Sequence, residues 1–108
     1  MRVLVLGGAD LADWPLVKAA LDHWRARLPI TVIIEGGADQ GADELARRWA
    51  WLRSLELETV PKTLRRETAI LFDYGAELVI AFTGTSERLL KSARDGGLKV
   101  IEVAGQLV

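Results

Sequence analysis

Cysteine is absent from this sequence, which removes a disulfide framework, a thiolate zinc site and a cysteine nucleophile together. A reducing cytoplasm is the expected compartment. Long apolar runs are also missing: the longest are a few residues and are flanked by charges, far short of the ~20 needed to span a bilayer. No membrane partner is expected. Arg2 precedes an apolar run at the start, but the run ends at Gly7 and Gly8 without a small-residue cleavage site, so it reads as a first strand rather than a signal peptide. Neither sign of charge dominates, with 14 Lys and Arg against 15 Asp and Glu. No basic face for DNA or RNA phosphates is expected, and nucleic acid is excluded as a partner. There is no low-complexity tract and no segment recurs at a solenoid period. The 108 residues, half of them apolar, suit one core, and residues 1–108 are read as a single domain.

Two patterns alternate along the chain. Short β-branched runs end in Gly, Thr or Pro, and longer stretches carry apolar residues every three to four positions. Strands are expected near residues 2–6, 31–35, 55–60, 78–82 and 99–103. Several are apolar almost throughout, as in a parallel sheet covered on both faces. The first helix should start at Asp13, a capping carboxylate, with Pro15 in its first turn. Its inward face is Val17, Ala20, Leu21, Trp24 and Leu28. The second helix, residues 42–54, should bury Leu45, Ala46, Trp49 and Leu52. A third, residues 64–74, carries Ile70, Leu71 and Tyr74 and ends at Gly75. A fourth follows Ser86, with Leu89, Leu90 and Ala93 inward and Gly96-Gly97 as its stop. Right-handed crossovers leave few topologies. The expected fold is an α/β, Rossmann-like three-layer sandwich with a five-stranded parallel sheet in the order 3-2-1-4-5. Winding then reverses between strands one and four, and a crevice opens at their carboxyl ends.

Three small-residue loops fall at that edge: Gly7 and Gly8 after strand one, Gly36, Gly37 and Gly41 after strand two, and Thr83, Gly84, Thr85 and Ser86 after strand four. Glycine admits close backbone approach, and the helix that follows each loop points amides at an anion. With Asp10, Glu35 and Asp43 beside them, these residues are the candidate ligand-binding set, and a phosphate-containing, nucleotide-like small molecule is the expected ligand. Neither G-x-G-x-x-G nor a P-loop is present, which speaks against a dinucleotide fingerprint and ATP hydrolysis. No cofactor or metal is expected. Asp10, Asp13, Asp39 and Asp43 suit turns and caps better than a Mg²⁺ site.

The opening Arg2-Val3-Leu4-Val5-Leu6-Gly7-Gly8-Ala9-Asp10, the segment from Val32 through Glu35-Gly36-Gly37-Ala38-Asp39-Gln40-Gly41-Ala42-Asp43 to Ala46, and Leu78–Thr85 resemble the YspA/YpsA-related branch of the SLOG superfamily. The resemblance runs over nearly the whole chain. It implies a Rossmann-like domain for nucleotides or nucleotide-derived ligands, often encoded in bacteria or their phages, with Gly7, Gly8, Gly36, Gly37, Gly41, Asp43 and Gly84 at the ligand edge. The chain departs from the pattern at Ala9 and Gln40, where the family carries basic residues. Glu67 stands in place of an asparagine, and the loop after strand three is shortened to Val60-Pro61-Lys62-Thr63. Much arginine and amide equipment is thereby lost.

Three functions follow as expectations. The first is a nucleotide-derivative binding domain without catalysis. The second is a phosphoribohydrolase-like enzyme on nucleoside monophosphates, with Glu35 or Glu87 as acid–base group; Glu87 is one residue out of register with the glutamate of the LOG enzymes of this superfamily. The third is an interaction module whose crevice is a relic. Lys62, Arg65 and Arg66 form a candidate basic patch, more simply a solvated helix start. His23 is expected on the surface. Trp49 and Trp51 lie about 200° apart on a helix, so both cannot face the core. The exposed one, taken as Trp51, is the expected homo-oligomer contact.

Overall fold

The computed structural model describes residues 1–62 and 66–103, the side chain of Arg66 excepted. Five parallel strands, β1 (Arg2–Leu6), β2 (Val32–Glu35), β3 (Glu56–Thr59), β4 (Leu78–Ala81) and β5 (Lys99–Glu102), form one sheet in the order β3-β2-β1-β4-β5. The expected topology is the observed one. β1 pairs with β2 through Arg2↔Val32 and with β4 through Val3↔Leu78, so the three most apolar strands occupy the centre. The edges are polar: β3 exposes Glu56 and Thr59, and β5 exposes Lys99 and Glu102. That is how natural sheets blunt an unpaired edge.

Side chains alternate between the two faces, and each face has its own core. On one, Val3, Val5, Ile33, Leu78 and Ile80 pack against helices α1 (Trp14–Arg25) and α2 (Ala42–Leu52). On the other, Leu4, Leu6, Val32, Ile34 and Val79 pack beneath α3 (Arg66–Thr68), the turn after it and α4 (Glu87–Asp95). The expected caps are in place. Asp13 Oδ1 accepts from the Leu16 amide at 3.1 Å, Ser86 Oγ accepts from the Leu89 amide at 3.0 Å, and Gly97, with φ of +86°, ends α4.

Two expectations need correction. Leu52 is 46% exposed, and Ala50 is buried in its stead; at 100° per residue Leu52 falls about 90° from the centre of the buried stripe. The third helix is not a regular α-helix: after Arg66–Thr68 the chain continues as a π-helical turn over Ala69–Asp73. In this turn the consecutive Ile70 and Leu71 both reach the core, while Phe72 lies against Gly96, where an added Cβ would stand 2.4 Å from the ring. The expected start of that helix at Leu64 lies outside the described residues.

α1 and α2 are tied together by one carboxylate. Asp22 accepts from Trp49 Nε1 at 2.9 Å, from Arg53 Nε at 2.9 Å and Nη2 at 2.7 Å, and from Lys18 Nζ at 3.4 Å. The Arg53 hydrogen bonds hold its carboxyl well below the usual carboxylate range, against the opposing effect of burial, with Trp49 and Lys18 adding to the depression. A folded-state pKa below the unfolded value contributes stability that is present above the unfolded value of ~4, begins to fall below it, and is gone only once pH has passed the lowered folded value. Asp22→Asn should therefore cost about 1–2 kcal/mol in urea unfolding at pH 7, modest because the carboxylate is about a third exposed. The difference from wild type should be the same at pH 5 and clearly smaller at pH 3; a gap that does not depend on pH contradicts the assignment.

Candidate functional site

The loops at the carboxyl edge meet at Gly8. Its amide donates to Thr83 O at 2.9 Å, and its carbonyl accepts from the Ala42 amide at 3.1 Å and the Leu11 amide at 3.3 Å. The neighbouring backbones approach so closely that only glycine fits. A Cβ on Gly41 would stand 2.5 Å from Gly8 O, and one on Gly84 2.6 Å from Gly8 Cα. Both adopt positive φ, at +83° and +94°, where other residues are strained. The exposed Asp10 sits over this junction, its carboxylate within reach of both Gly8 and Gly84. Gly7 lies below, against Ala42.

A second cluster holds the 36–41 loop. Glu35 closes β2 with no exposed surface, and its carboxylate accepts from Arg47 Nη1 at 2.5 Å, from the Gly37 amide at 2.7 Å and from the Thr59 hydroxyl. Arg47 is anchored in turn, its Nη2 donating to Ala38 O at 2.6 Å, and Asp43 Oδ2 accepts from the Ala38 amide at 3.1 Å. Gly36 is buried beside Glu35. The amides of Gly37, Ala38 and Ala42, which the sequence offers to an anion, thus donate to acceptors of the chain itself. Arg47 and Thr59 were not foreseen as partners of Glu35. The one sequence signal for Arg47 is its place a single turn after Asp43, on the same side of α2.

The third loop borders open space. A cleft of about 460 Å³ lies at the carboxyl ends of β4 and β5, lined by Phe82, Thr83, Thr85, Glu87, Leu90 and Glu102 among others. Thr85 Oγ1 donates to Phe82 O at 2.8 Å, and Ser86 is engaged in capping α4. Glu102 pairs with Arg94 at 2.8 Å. The structure therefore separates the candidates: Gly7, Gly8, Asp10, Gly41 and Gly84 at the loop junction, Glu35, Gly36, Gly37 and Asp43 around Arg47, and Thr83 and Thr85 at the cleft, which Gly84 also lines, while Ser86 caps α4 outside the lining. Glu102 is a lining residue that sequence reasoning missed, because it approaches only through the pairing of β5 with β4.

Other singled-out residues fall elsewhere. His23 is on the surface, with Trp24 edge-on at 4.9 Å. Lys62 is exposed, but Arg65 and the side chain of Arg66 lie outside the described residues. Trp49 is fully buried and Trp51 is 79% exposed. Among the described residues no three of His, Asp and Glu gather as a metal site, and no helix is long and apolar enough to cross a membrane.

Comparison with known proteins gives one match. The family model described as YspA, cpYpsA-related SLOG family matches residues 1–66. That stretch carries β1 through β3 and the first two glycine loops and stops short of β4, the cleft and the Leu78–Thr85 segment. No curated protein and no solved structure matches the chain.

Removing the charge of Glu35 leaves Arg47 facing a buried neutral group. Breaking a buried pair from one side costs about 3–5 kcal/mol, and Arg47, 28% exposed, recovers part of that in water. Glu35→Gln should lower unfolding free energy by about 2–3 kcal/mol, whereas Asp39→Asn, on an exposed residue of the same loop, should change it by less than about 0.5. Equal effects of the two substitutions in a urea titration would contradict this organisation of the loop.

Proposed function

The chain belongs to the YspA, cpYpsA-related SLOG family, and from that premise we propose that it is a binding domain for a nucleotide-derived small molecule, seated in the cleft at the carboxyl ends of β4 and β5. The cleft carries the reading. It lies beside the point where winding reverses between β1 and β4, the place where open α/β sheets bind ligands. Its apolar floor of Phe82, Leu90 and Val103 suits a base, and Thr83, Thr85, Glu87 and Glu102 offer polar groups to a sugar. Catalysis is not part of the proposal. Glu35, the strongest candidate for a general base on sequence, has no exposed surface and faces Arg47, Gly37 and Thr59, and the role we give it is to hold the loop.

The test is a thermal-shift survey with adenosine, AMP, ADP-ribose, NAD and ribose 5-phosphate. A ligand at 100 times its Kd adds about 2.7 kcal/mol, so at least one compound should raise Tm by several degrees at millimolar concentration. Thr83→Trp, on an exposed residue at the cleft, should abolish that shift without lowering the Tm of the free protein. A Tm unmoved by every compound overturns the proposal.

A second reading, self-association through α2, is favoured by Trp51, whose indole is 79% exposed one position before the end of the helix. Aromatic residues of this kind concentrate at interfaces. Light scattering at tens of micromolar should give a mass above that of one chain for the wild type and the monomer mass for Trp51→Glu, since an unpaired buried charge costs several kcal/mol. A monomeric wild type, or an associated variant, removes this reading.

A further inference from the structure

We infer that the cleft selects uncharged nucleosides over their phosphorylated forms. This rests on the reading of the cleft as the ligand site and fixes the class of ligand it takes. The charged groups lining it are Glu87 and Glu102, joined by the hydroxyl-bearing Thr83 and Thr85; among the described lining residues there is no Lys, Arg or His. Arg94 approaches Glu102 from outside the lining, so one carboxylate is partly balanced while Glu87 makes no ion pair among the described residues. Asp10 adds a further negative charge at the Gly8–Gly84 junction.

Several features that ordinarily hold phosphate are engaged otherwise. The amides of Gly37 and Ala38 donate to Glu35 and Asp43, and the Ala42 amide at the start of α2 donates to Gly8 O. At the start of α4, Ser86 takes the Leu89 amide, and Glu87 in the first turn already meets the positive end of the helix dipole. Arg47, which reaches into the second loop, is committed to Glu35 and Ala38 O. A phosphate entering here meets the carboxylates of Glu87 and Glu102 and, among the described lining residues, no guanidinium or ammonium group. A ribose meets the opposite situation, because its hydroxyls donate to carboxylates in charge-assisted hydrogen bonds. Two unit charges about 6 Å apart interact by about 0.7 kcal/mol even in a water-like dielectric, so one carboxylate opposing a phosphate dianion weakens binding by about ten-fold at low salt.

Calorimetric titration of the four common ribonucleosides and their 5′-monophosphates in low salt tests this. The wild type should bind at least one nucleoside at least ten-fold more tightly than its monophosphate, and the ratio should shrink in 0.5 M salt. In Glu87→Gln/Glu102→Gln, with both substitutions on exposed residues, the monophosphate should tighten by about ten-fold or more, while the nucleoside changes less. Glu87→Gln alone should give part of that change, and it leaves the Arg94–Glu102 pair intact. A monophosphate that binds the wild type as tightly as its nucleoside overturns the inference and leaves the cleft standing as the site. A preference that survives both substitutions unchanged also overturns it, because the carboxylates are then not its cause. Failure of all eight compounds to bind at millimolar concentration overturns the inference; if the wider survey with ADP-ribose, NAD and ribose 5-phosphate is negative too, the cleft reading falls with it.

Discussion

The carboxyl edge of this sheet depends on the approach of three backbones at Gly8. The loop after β1, the start of α2 and the loop after β4 come within bonding distance there, and Gly8 gives both its amide and its carbonyl to its neighbours. Gly41 and Gly84 stand where any Cβ would collide with Gly8 or Ala9, so the packing fixes residue type at positions far apart in sequence. It also fixes where α2 begins: Ala42 donates to Gly8 O while Gly41, in a left-handed conformation, supplies the turn into the helix. Glycines that look like phosphate-binding equipment are, in this fold, first of all the means by which the loops touch.

Glu35 extends the same constraint to the edge of the sheet. A carboxylate without solvent contact is tolerable only when paired and fully hydrogen-bonded, and here the partners come from three elements: Arg47 of α2, Thr59 of β3 and the Gly37 amide. The pair therefore couples the 36–41 loop to both the helix and the edge strand. Asp22 performs the corresponding service at the carboxyl end of α2, joining Trp49 and Arg53 to α1. One helix is thus held at its middle and at its carboxyl end by acids on other elements, in addition to its short, alanine-rich buried stripe.

The architecture was legible in the sequence because the signals that set it are local or nearly so. The apolar runs of β1, β2 and β4 mark central strands by composition, Asp13 and Ser86 mark helix starts, and right-handed crossovers leave the observed order among few alternatives. The failures occurred where tertiary packing decides. Nothing local at 69–73 announces a π-helical turn, which occurs where Ile70 and Leu71 are buried and Phe72 rests on Gly96. The role of Glu35 was hidden for a similar reason, since Arg47 and Thr59 lie twelve and twenty-four residues away. The tryptophans of α2 were legible: the angle between positions 49 and 51 required one to be exposed, the apolar spacing placed Trp49 inward, and Trp49 is the buried one, reaching Asp22.

Family membership and site chemistry therefore constrain different things. Residues 1–66 carry the family's pattern, and in them the two glycine loops are consumed by contacts within the chain. The cleft lies in the remainder, formed by β4, α4 and β5, where substitution does not disturb the Gly8 junction unless it touches Gly84. Such a division lets the framework persist while the surface of the cleft changes. Glu87 and Glu102 occupy exposed positions on α4 and β5, whereas a cation in the 36–41 loop would have to avoid competing with Arg47 for Glu35. The easier route for this fold to alter the chemistry of its carboxyl edge runs through the β4–β5 side of the sheet, and the acids standing there give that side its chemical character.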